Sequence, residues 1–242
     1  MKARRLVLFL MVIALVVLAL LIARPPQVRR VINKVRGRVS LREKLAEYGP
    51  AARKRLATAF EAKSVAYPPK RLVLVGLKRE RVLQVYASSQ GGDLRLVTSY
   101  PILGASGHLG PKLKEGDRQV PEGIYRVTYL NPNSLYHLSL RLDYPNAFDR
   151  QMAENDGRTD LGGDIMIHGD TCSIGCLAMG DPASEDLFVL AADTGIENIK
   201  VILSPVDFRT TKRVPGSSLL PKWTAKLYKE IAREIATLED RP

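Results

Sequence analysis

The segment Asp164-Ile-Met-Ile-His-Gly-Asp-Thr-Cys-Ser-Ile-Gly-Cys-Leu-Ala-Met179 places a short apolar run before a histidine, and a cysteine follows eight residues later. Residues 165–167 are typical of a buried strand, which ends at His168. Such a histidine has a fixed backbone, and a loop that carries Cys176 can fold back to meet it. A free thiol, with a pKa of about 8.5, is a weak nucleophile that an adjacent imidazole activates by taking its proton. The segment therefore predicts a cysteine–histidine pair with a lowered thiol pKa.

Small residues around the cysteine predict a loop that can approach a substrate closely. Gly175 permits a positive φ angle, and we expect the N–H groups of Gly175 and Cys176 to face a developing oxyanion. Ser173 is expected to support the loop. Two cysteines do not make a disulfide framework. We expect Cys172 to be a free, small apolar residue packed under the loop, with a redox-regulated pair as the alternative.

The pattern His-Gly-x-x-x-Ser-x-Gly-Cys-x-x-Met, from His168 to Met179, resembles the active-site signature of the L,D-transpeptidase catalytic domain of the YkuD type. It is closest to the form with alanine, here Ala178, where the common form has arginine. That family acts on peptidoglycan stem peptides through a cysteine acyl-enzyme. The resemblance implies that Cys176 is the nucleophile, that His168 donates and accepts the proton, and that the carbonyl of Gly169 orients the imidazole. We expect no cofactor and no metal.

A second stretch resembles the same family. Residues 110–125 contain a Gly-x-Lys segment, a Gly-Asp pair and a Val-Pro-Glu-Gly-Ile-Tyr turn in the family's order. We expect Lys112 and Tyr125 to bind substrate, with Lys112 balancing a carboxylate. A solvated lysine and a purely structural turn are the alternatives.

Short apolar or alternating runs separated by turn residues predict a β-rich domain. These runs are residues 71–76, 81–86, 94–99, 124–130, 136–142, 165–167 and 199–203. The predicted fold is mainly β (α+β), a β sandwich or barrel-like sheet with flanking helices, as the resemblance also implies for about residues 71–204. Residues 221–238 predict an amphipathic helix, because apolar side chains recur every four residues from Trp223.

The composition divides the chain into four parts. We predict a membrane anchor or signal peptide, a basic linker with helical segments, a catalytic domain and a C-terminal extension with a helix. Their bounds are residues 1–23, 24–68, 69–205 and 206–242. In the linker, we expect Gly49-Pro50 to separate two helices.

Residues 6–23 are 18 uncharged apolar residues, close to the roughly 20 that span a bilayer. No small-x-small cleavage pattern precedes Arg24, which favours an uncleaved transmembrane anchor over a signal peptide. Of the net charge of +12, the stretch from Arg24 to Thr58 holds +9, from eleven basic and two acidic residues. This placement favours anionic lipid or wall polymer over nucleic acid as the partner.

Charge and substrate give opposite predictions for the orientation. The positive-inside count alone places the domain in the cytoplasm, but large domains translocate largely regardless of charge. Peptidoglycan lies outside the cytoplasm. We therefore expect a membrane-anchored enzyme of the cell envelope, with its catalytic domain on the periplasmic, extracytoplasmic side and a wall-linked protein as a further candidate partner.

Several alternatives remain open from the sequence. With water as the acceptor, the same acyl-enzyme is a hydrolase of stem-peptide or protein–peptidoglycan links, and Ala178 lacks the guanidinium that would grip a donor carboxylate. His168, Cys172 and Cys176 are spaced four apart, and zinc accepts such ligands. A non-catalytic, membrane-tethered wall-binding module or an inactive enzyme scaffold would leave the cysteine idle.

Overall fold

The computed structural model describes residues 9–11, 37–89, 92–214, 216, 218 and 220–238. The chain divides into two compact units, Met1–Ser40 and Leu41–Pro242. The membrane anchor predicted at residues 1–23 lies outside the described residues, apart from the helical residues 9–11. Among the helices that are described, none has the length and hydropathy needed to cross a membrane.

The second unit contains nine strands and four α-helices in its described part. In chain order they are α1 (Leu41–Glu61), β1 (Arg71–Leu77), β2 (Val82–Ser88), β3 (Arg95–Pro101), β4 (Gly104–Ala105), β5 (Gly123–Ser134), β6 (His137–Leu142), α2 (Ala147–Asn155), β7 (Met166–His168), β8 (Leu177–Ala178), α3 (Asp181–Thr194), a short 3₁₀ helix (Ile196–Asn198), β9 (Ile199–Ser204) and α4 (Thr224–Ala236). All seven predicted strands are present. The prediction lacks β4 and β8, because a two-residue strand has no periodicity, and it lacks α2, which begins in a polar turn.

The strands form one mixed sheet in the order β3-β2-β1-β9-β5-β6-β7-β8-β4. The pairs β1–β9 and β7–β8 are parallel. Strand β5 pairs with β9 through residues 123–126 and with β6 from residue 127 onward, so it joins the two halves of the sheet. Leu74 from one half and Leu140 from the other belong to the same core. The predicted β-rich α+β class is confirmed, in the form of a mixed sheet with helices.

Strand β1 is buried on both faces, which explains its continuous apolar run. Leu72 and Leu74 belong to one core, which also contains side chains of α1 and α3. Val73 and Val75 belong to a second core, which contains apolar side chains of α4. Helix α4 is the predicted amphipathic helix, and its apolar face packs on the domain.

Helix α1 runs without a break through Gly49-Pro50, so the prediction of two separate helices is wrong. One face of the helix buries Ala52, Leu56 and Phe60. The guanidinium of Arg53 donates two hydrogen bonds of 2.8 Å to the carboxylate of Asp193 on α3. These tertiary contacts outweigh the helix-breaking tendency of the proline. This part of the predicted linker is therefore an integral part of the folded unit.

Candidate active site

The parallel pair of β7 and β8 brings the predicted cysteine and histidine to one region of the sheet. His168 ends β7 and lies in register with Ala178 of β8. Extending this register by two residues places Cys176 beside Met166. Alternate residues of a strand share a face, so Met166 and His168 lie on the same face. The N–H of Met166 donates to Cys176 Sγ at 3.4 Å, which agrees with this placement.

The imidazole of His168 is buried and held on two sides. Its Nδ1 lies 2.5 Å from the carbonyl oxygen of Gly169. Because a carbonyl only accepts, Nδ1 carries the proton and Nε2 has the free lone pair. The ring of Tyr136 stacks on the imidazole, with centroids 4.8 Å apart and planes 27° apart. The geometry matches the role that the resemblance implies for Gly169.

Burial lowers the pKa of His168, although the Gly169 carbonyl and the carboxylates of Asp170 and Asp181 act in the opposite direction. The imidazole is therefore neutral at pH 7, which is the form that can accept a proton from a thiol. Asp170 itself has a positive φ angle of 61° and donates its N–H to Asp181. It serves the turn after Gly169.

The sulfur of Cys176 is half-buried against the backbone that precedes β7. Besides the bond from Met166, the thiol donates toward the carbonyl oxygen of Asp164 at 3.6 Å. Burial raises the pKa of the thiol, and the bond from Met166 N–H offsets part of this effect. Within the described residues, no hydrogen bond joins Sγ to His168. The predicted low thiol pKa is wrong for this geometry, because backbone groups rather than the imidazole face the sulfur.

A hydrogen-bonded frame supports residues 169–176, here called the cysteine loop. The hydroxyl of Ser173 donates to the carbonyl of Cys176 at 2.6 Å and accepts from the N–H of Ser106 at 3.0 Å. The N–H of Gly175 donates to Ser106 Oγ at 2.7 Å. Ser106 is absent from the sequence prediction, because it lies 67 residues from Ser173 and no local pattern marks it. Tyr136 is missed for the same reason, since only the fold of the β5–β6 hairpin brings it to His168.

The frame corrects the prediction for the oxyanion. Gly175 has the expected positive φ angle, 98°. Its N–H donates a hydrogen bond to Ser106 Oγ, so it is not available to a substrate oxyanion. Within the described part of the chain, the N–H of Cys176 has no hydrogen-bond acceptor, so the donor left for a developing oxyanion is that of Cys176.

Cys172 does not pack under the cysteine loop, so that prediction is wrong. Both cysteines are free thiols, and Cys172 is exposed. Ile174 on the same loop is 70% exposed. The loop is therefore held by hydrogen bonds rather than by apolar packing. Among the described residues, no group of three or more His, Cys, Asp or Glu is arranged to hold a metal ion, so the structure does not unite His168, Cys172 and Cys176 as zinc ligands.

The predicted substrate lysine is bound within its own loop. Lys112 is buried, and its Nζ donates to Asp117 Oδ1 at 2.6 Å and to the carbonyl of Lys114 at 2.8 Å. Its charge favours the thiolate form of Cys176. The pairing with Asp117 leaves Lys112 a structural cation near the site, in place of the predicted partner for a substrate carboxylate.

The structure does not bring Tyr125 to the site. Its side chain is 1% exposed and belongs to the main core. The hydroxyl donates to the carbonyl of Glu122 at 3.2 Å and to Asp149 Oδ1 at 3.4 Å. A ring buried in this way cannot contact substrate, so this prediction is wrong. The alternation of β5 directs Tyr125 into the core.

Ala178, at the position of the family's arginine, is fully buried. It pairs with Gly104 of β4. A Cβ atom at Gly104 would lie 3.1 Å from the Cβ of Ala178, so the two strands are in close contact. An arginine side chain has no room here unless β4 moves.

The match to known proteins covers the region that contains this site. The L,D-transpeptidase catalytic domain (YkuD) matches residues 70–203, more than half of the chain. The chain therefore belongs to the L,D-transpeptidase catalytic domain family, and the resemblance seen in the motifs is confirmed.

Particular relatives show how far the similarity extends. Over 139 residues the chain is 37% identical to the Escherichia coli (strain K12) protein that carries the name L,D-transpeptidase YafK, a match over 55% of this chain and 53% of that protein. The chain thus spans about half the length of the curated relatives that it matches.

Two solved structures are also similar. The helical cell shape determining protein Pgp2 from Campylobacter jejuni has 23% identity and a TM-score of 0.45, over 56% of this chain and 48% of that chain. Bd1075 of Bdellovibrio bacteriovorus has 22% identity and a TM-score of 0.41, over 71% of this chain and 58% of that chain.

Proposed function

We propose that this protein is an L,D-transpeptidase-type cysteine acyltransferase that acts on peptidoglycan stem peptides. Membership of the family supports this class of substrate. The observation that carries the proposal is the fixed tautomer of His168. Because Nδ1 donates to Gly169 O, Nε2 is the nitrogen that can accept a proton. His168 ends β7, which pairs with β8, and Cys176 directly precedes β8.

The chemistry begins with a change of χ1 at Cys176. The rotation turns Sγ away from Asp164 O and toward Nε2 of His168. The thiol proton then moves to Nε2 while Sγ attacks the carbonyl carbon of the stem peptide. The oxyanion forms against the N–H of Cys176. His168 gives its proton to the leaving amine as the C–N bond breaks, and a thioester remains on Cys176.

The second half of the reaction reverses these roles. An acceptor amine passes a proton to Nε2 and attacks the thioester. The C–S bond breaks, the new amide is released, and the thiolate regains its proton from His168. Both groups start neutral, because burial raises the pKa of the thiol and lowers the pKa of the imidazole. Attack is thus coupled to proton transfer and does not start from a stored thiolate–imidazolium pair.

Hydrolysis is the second candidate function, and the surroundings of Ala178 favour it. A site without the arginine guanidinium has one fewer cation to hold a substrate carboxylate. With water in place of the amine, the same thioester gives a carboxylate and a trimmed stem peptide or a released wall-linked protein. The two functions share every step up to the thioester and differ in the acceptor.

Incubation of the full chain with defined muropeptides, with and without an amine acceptor, tests the proposal by mass analysis. We expect an acyl adduct on Cys176 and a product whose mass corresponds to amide transfer; a product that gains only water in the presence of acceptor supports hydrolysis. Cys176→Ala should abolish both, while the matched variant Cys172→Ser, on the exposed side of the same loop, should keep wild-type turnover. Full activity of Cys176→Ala would refute the proposal. Wall binding that survives this substitution, with no adduct in the wild type, would instead support a binding module.

We also propose that the catalytic domain lies on the extracytoplasmic side, with residues 1–23 as an uncleaved anchor. The support is the apolar N-terminal sequence and the location of peptidoglycan. A C-terminal reporter that is active only after export should be active in this fusion. A reporter that works only in the cytoplasm would contradict the orientation.

A further inference from the structure

The C-terminal helix α4 reaches the polar interior of the domain through one side chain. Tyr228 is buried, and its hydroxyl donates to Glu122 Oε2 at 2.7 Å. Tyr228 lies beyond residues 70–203, which match the family. Glu122 immediately precedes β5 and is itself 1% exposed. The bond therefore joins the C-terminal segment to the family domain at a site without solvent.

Glu122 belongs to a buried ion pair with no spare oxygen. Its Oε1 accepts from Lys78 Nζ at 2.8 Å and from the N–H of Gly110 at 2.7 Å. Nζ of Lys78 also donates to the carbonyls of Gly110 at 3.0 Å and Val120 at 2.9 Å. In a dry environment, such bonds are strong and each depends on its neighbours.

The same network continues to the cysteine loop. The N–H of Val120 donates to the carbonyl of Ser106 at 3.3 Å. Ser106 Oγ accepts from the N–H of Gly175 at 2.7 Å, and Gly175 directly precedes Cys176. We call the path Tyr228–Glu122–Lys78–Val120–Ser106–Gly175 the buried relay; Ser106 is half-buried and its other members are buried. Each of its links is a hydrogen bond of 3.3 Å or less.

From this continuity we infer that Tyr228 is a positioning residue for the nucleophile, and that helix α4 tunes acylation at Cys176 through the buried relay. Without the hydroxyl of Tyr228, Glu122 Oε2 has no partner, and the carboxylate turns toward Lys78. Lys78 then releases one of its two backbone carbonyls, which frees the backbone that holds Ser106. Gly175 and the N–H of Cys176 lose their fixed position. The inference rests on the proposed function for its effect on turnover, but its effect on the thiol is independent of substrate.

The test compares Tyr228→Phe with Ile231→Val in the full chain. Both positions are buried on α4, and phenylalanine keeps the ring while it removes only the hydroxyl. Both variants carry Cys172→Ser, so that Cys176 is the one remaining thiol of the two in the chain. The readouts are kcat and KM on muropeptides and the rate of Cys176 alkylation by iodoacetamide, measured well below the unfolding temperature. We expect Tyr228→Phe to lower kcat by about 2- to 30-fold with KM unchanged. Alkylation should become faster by a similar factor, because a released loop exposes the sulfur. Ile231→Val should match the Cys172→Ser parent in all three.

A double-mutant cycle with Ser106→Ala locates the effect. If Tyr228 acts through Ser106, the double variant should match Ser106→Ala alone within about twofold. Additive effects would overturn the inference, as would a Tyr228→Phe variant that behaves like Ile231→Val. If the wild type shows no turnover, the proposed function fails, and the alkylation measurements still decide for or against the relay.

Discussion

An alanine at position 169 would place a methyl group where three neighbouring groups leave no space. A Cβ atom there would lie 2.5 Å from Asp181 Oδ1, 2.8 Å from His137 Cβ and 2.9 Å from Ser184 Oγ. Gly169 is buried, and it does not have a positive φ angle. The effect of Gly169→Ala is therefore steric and does not come from a strained backbone.

The closest clash also breaks a hydrogen bond. Asp181 Oδ1 accepts from the N–H of Asp170 at 2.8 Å, and a methyl group at position 169 would displace it. Overpacking of this kind costs about 1–3 kcal/mol, and the lost bond adds about 1 kcal/mol. We expect the free energy of unfolding to fall by about 2–4 kcal/mol, which lowers Tm by about 4–16 °C in a domain of this size.

Activity should fall further than stability alone explains. The carbonyl of Gly169 fixes Nδ1 of His168, so a backbone shift at this residue misplaces the base. A displacement of about 1 Å in a catalytic group can cost about 100-fold in rate, and we expect kcat to drop by about 10- to 100-fold. Thermal unfolding and turnover of muropeptides are the assays, and Gly163→Ala is the control, because a Cβ atom at Gly163 meets nothing within 4 Å. Wild-type Tm and kcat in Gly169→Ala would refute the steric argument.

Three further predictions follow from the pKa of the base, the ring stacked on it and the packing of α1. The acid limb of kcat/KM should lie below pH 6.5, the ordinary value for an imidazole, because burial lowers the pKa of His168 and its neutral form accepts the proton; a limb above that pH in a pH–rate profile would contradict this. Tyr136→Ala should lower kcat by about 2- to 12-fold through loss of the stacked ring, whereas Tyr136→Phe keeps the rate; equal rates in both variants would show that the stacking has no role. Leu56→Ala should lower the free energy of unfolding by about 2–5 kcal/mol in denaturant titrations, while exposed Lys54→Ala should not. Equal, small effects would mean that α1 is not part of the core.

The sequence predicts the parts of this site that are local in the chain. His168 and Cys176 are eight residues apart and joined by a glycine-rich loop, so a single segment contains the chemistry. The strands are predictable for the same reason, since each apolar run is visible in a short window. What the sequence hides is long-range pairing. Ser106 meets Gly175 across 69 residues, and a serine in a turn has no pattern that indicates its partner.

The wrong predictions share a second cause, which is burial that only the fold decides. Tyr125 and Lys112 lie in a stretch that resembles the family, and this resemblance predicts that both bind substrate. In the structure, the alternation of side chains along β5 points Tyr125 into the core, and Lys112 forms an ion pair with Asp117. Helix α1 shows the same effect, because packing of Leu56 and Phe60 keeps Pro50 within a continuous helix. Burial of enough apolar surface can therefore outweigh the helix or strand propensity of individual residues.

The backbone around Cys176 is held by hydrogen bonds, whereas the Cys176 side chain has only weak contacts. Ser106 Oγ accepts from the N–H of Gly175, and the hydroxyl of Ser173 donates to the carbonyl of Cys176, so hydrogen bonds hold the backbone on both sides of the cysteine. The sulfur is held more weakly, by contacts of 3.4 and 3.6 Å to backbone groups. In the proposed mechanism, a rotation about one bond of Cys176 turns the sulfur toward His168 and leaves the backbone N–H of Cys176 in place. Burial raises the pKa of this half-buried thiol, so the sulfur is mainly protonated and weakly nucleophilic while it faces the backbone. A raised thiol pKa is therefore compatible with the nucleophilic role that we propose for Cys176.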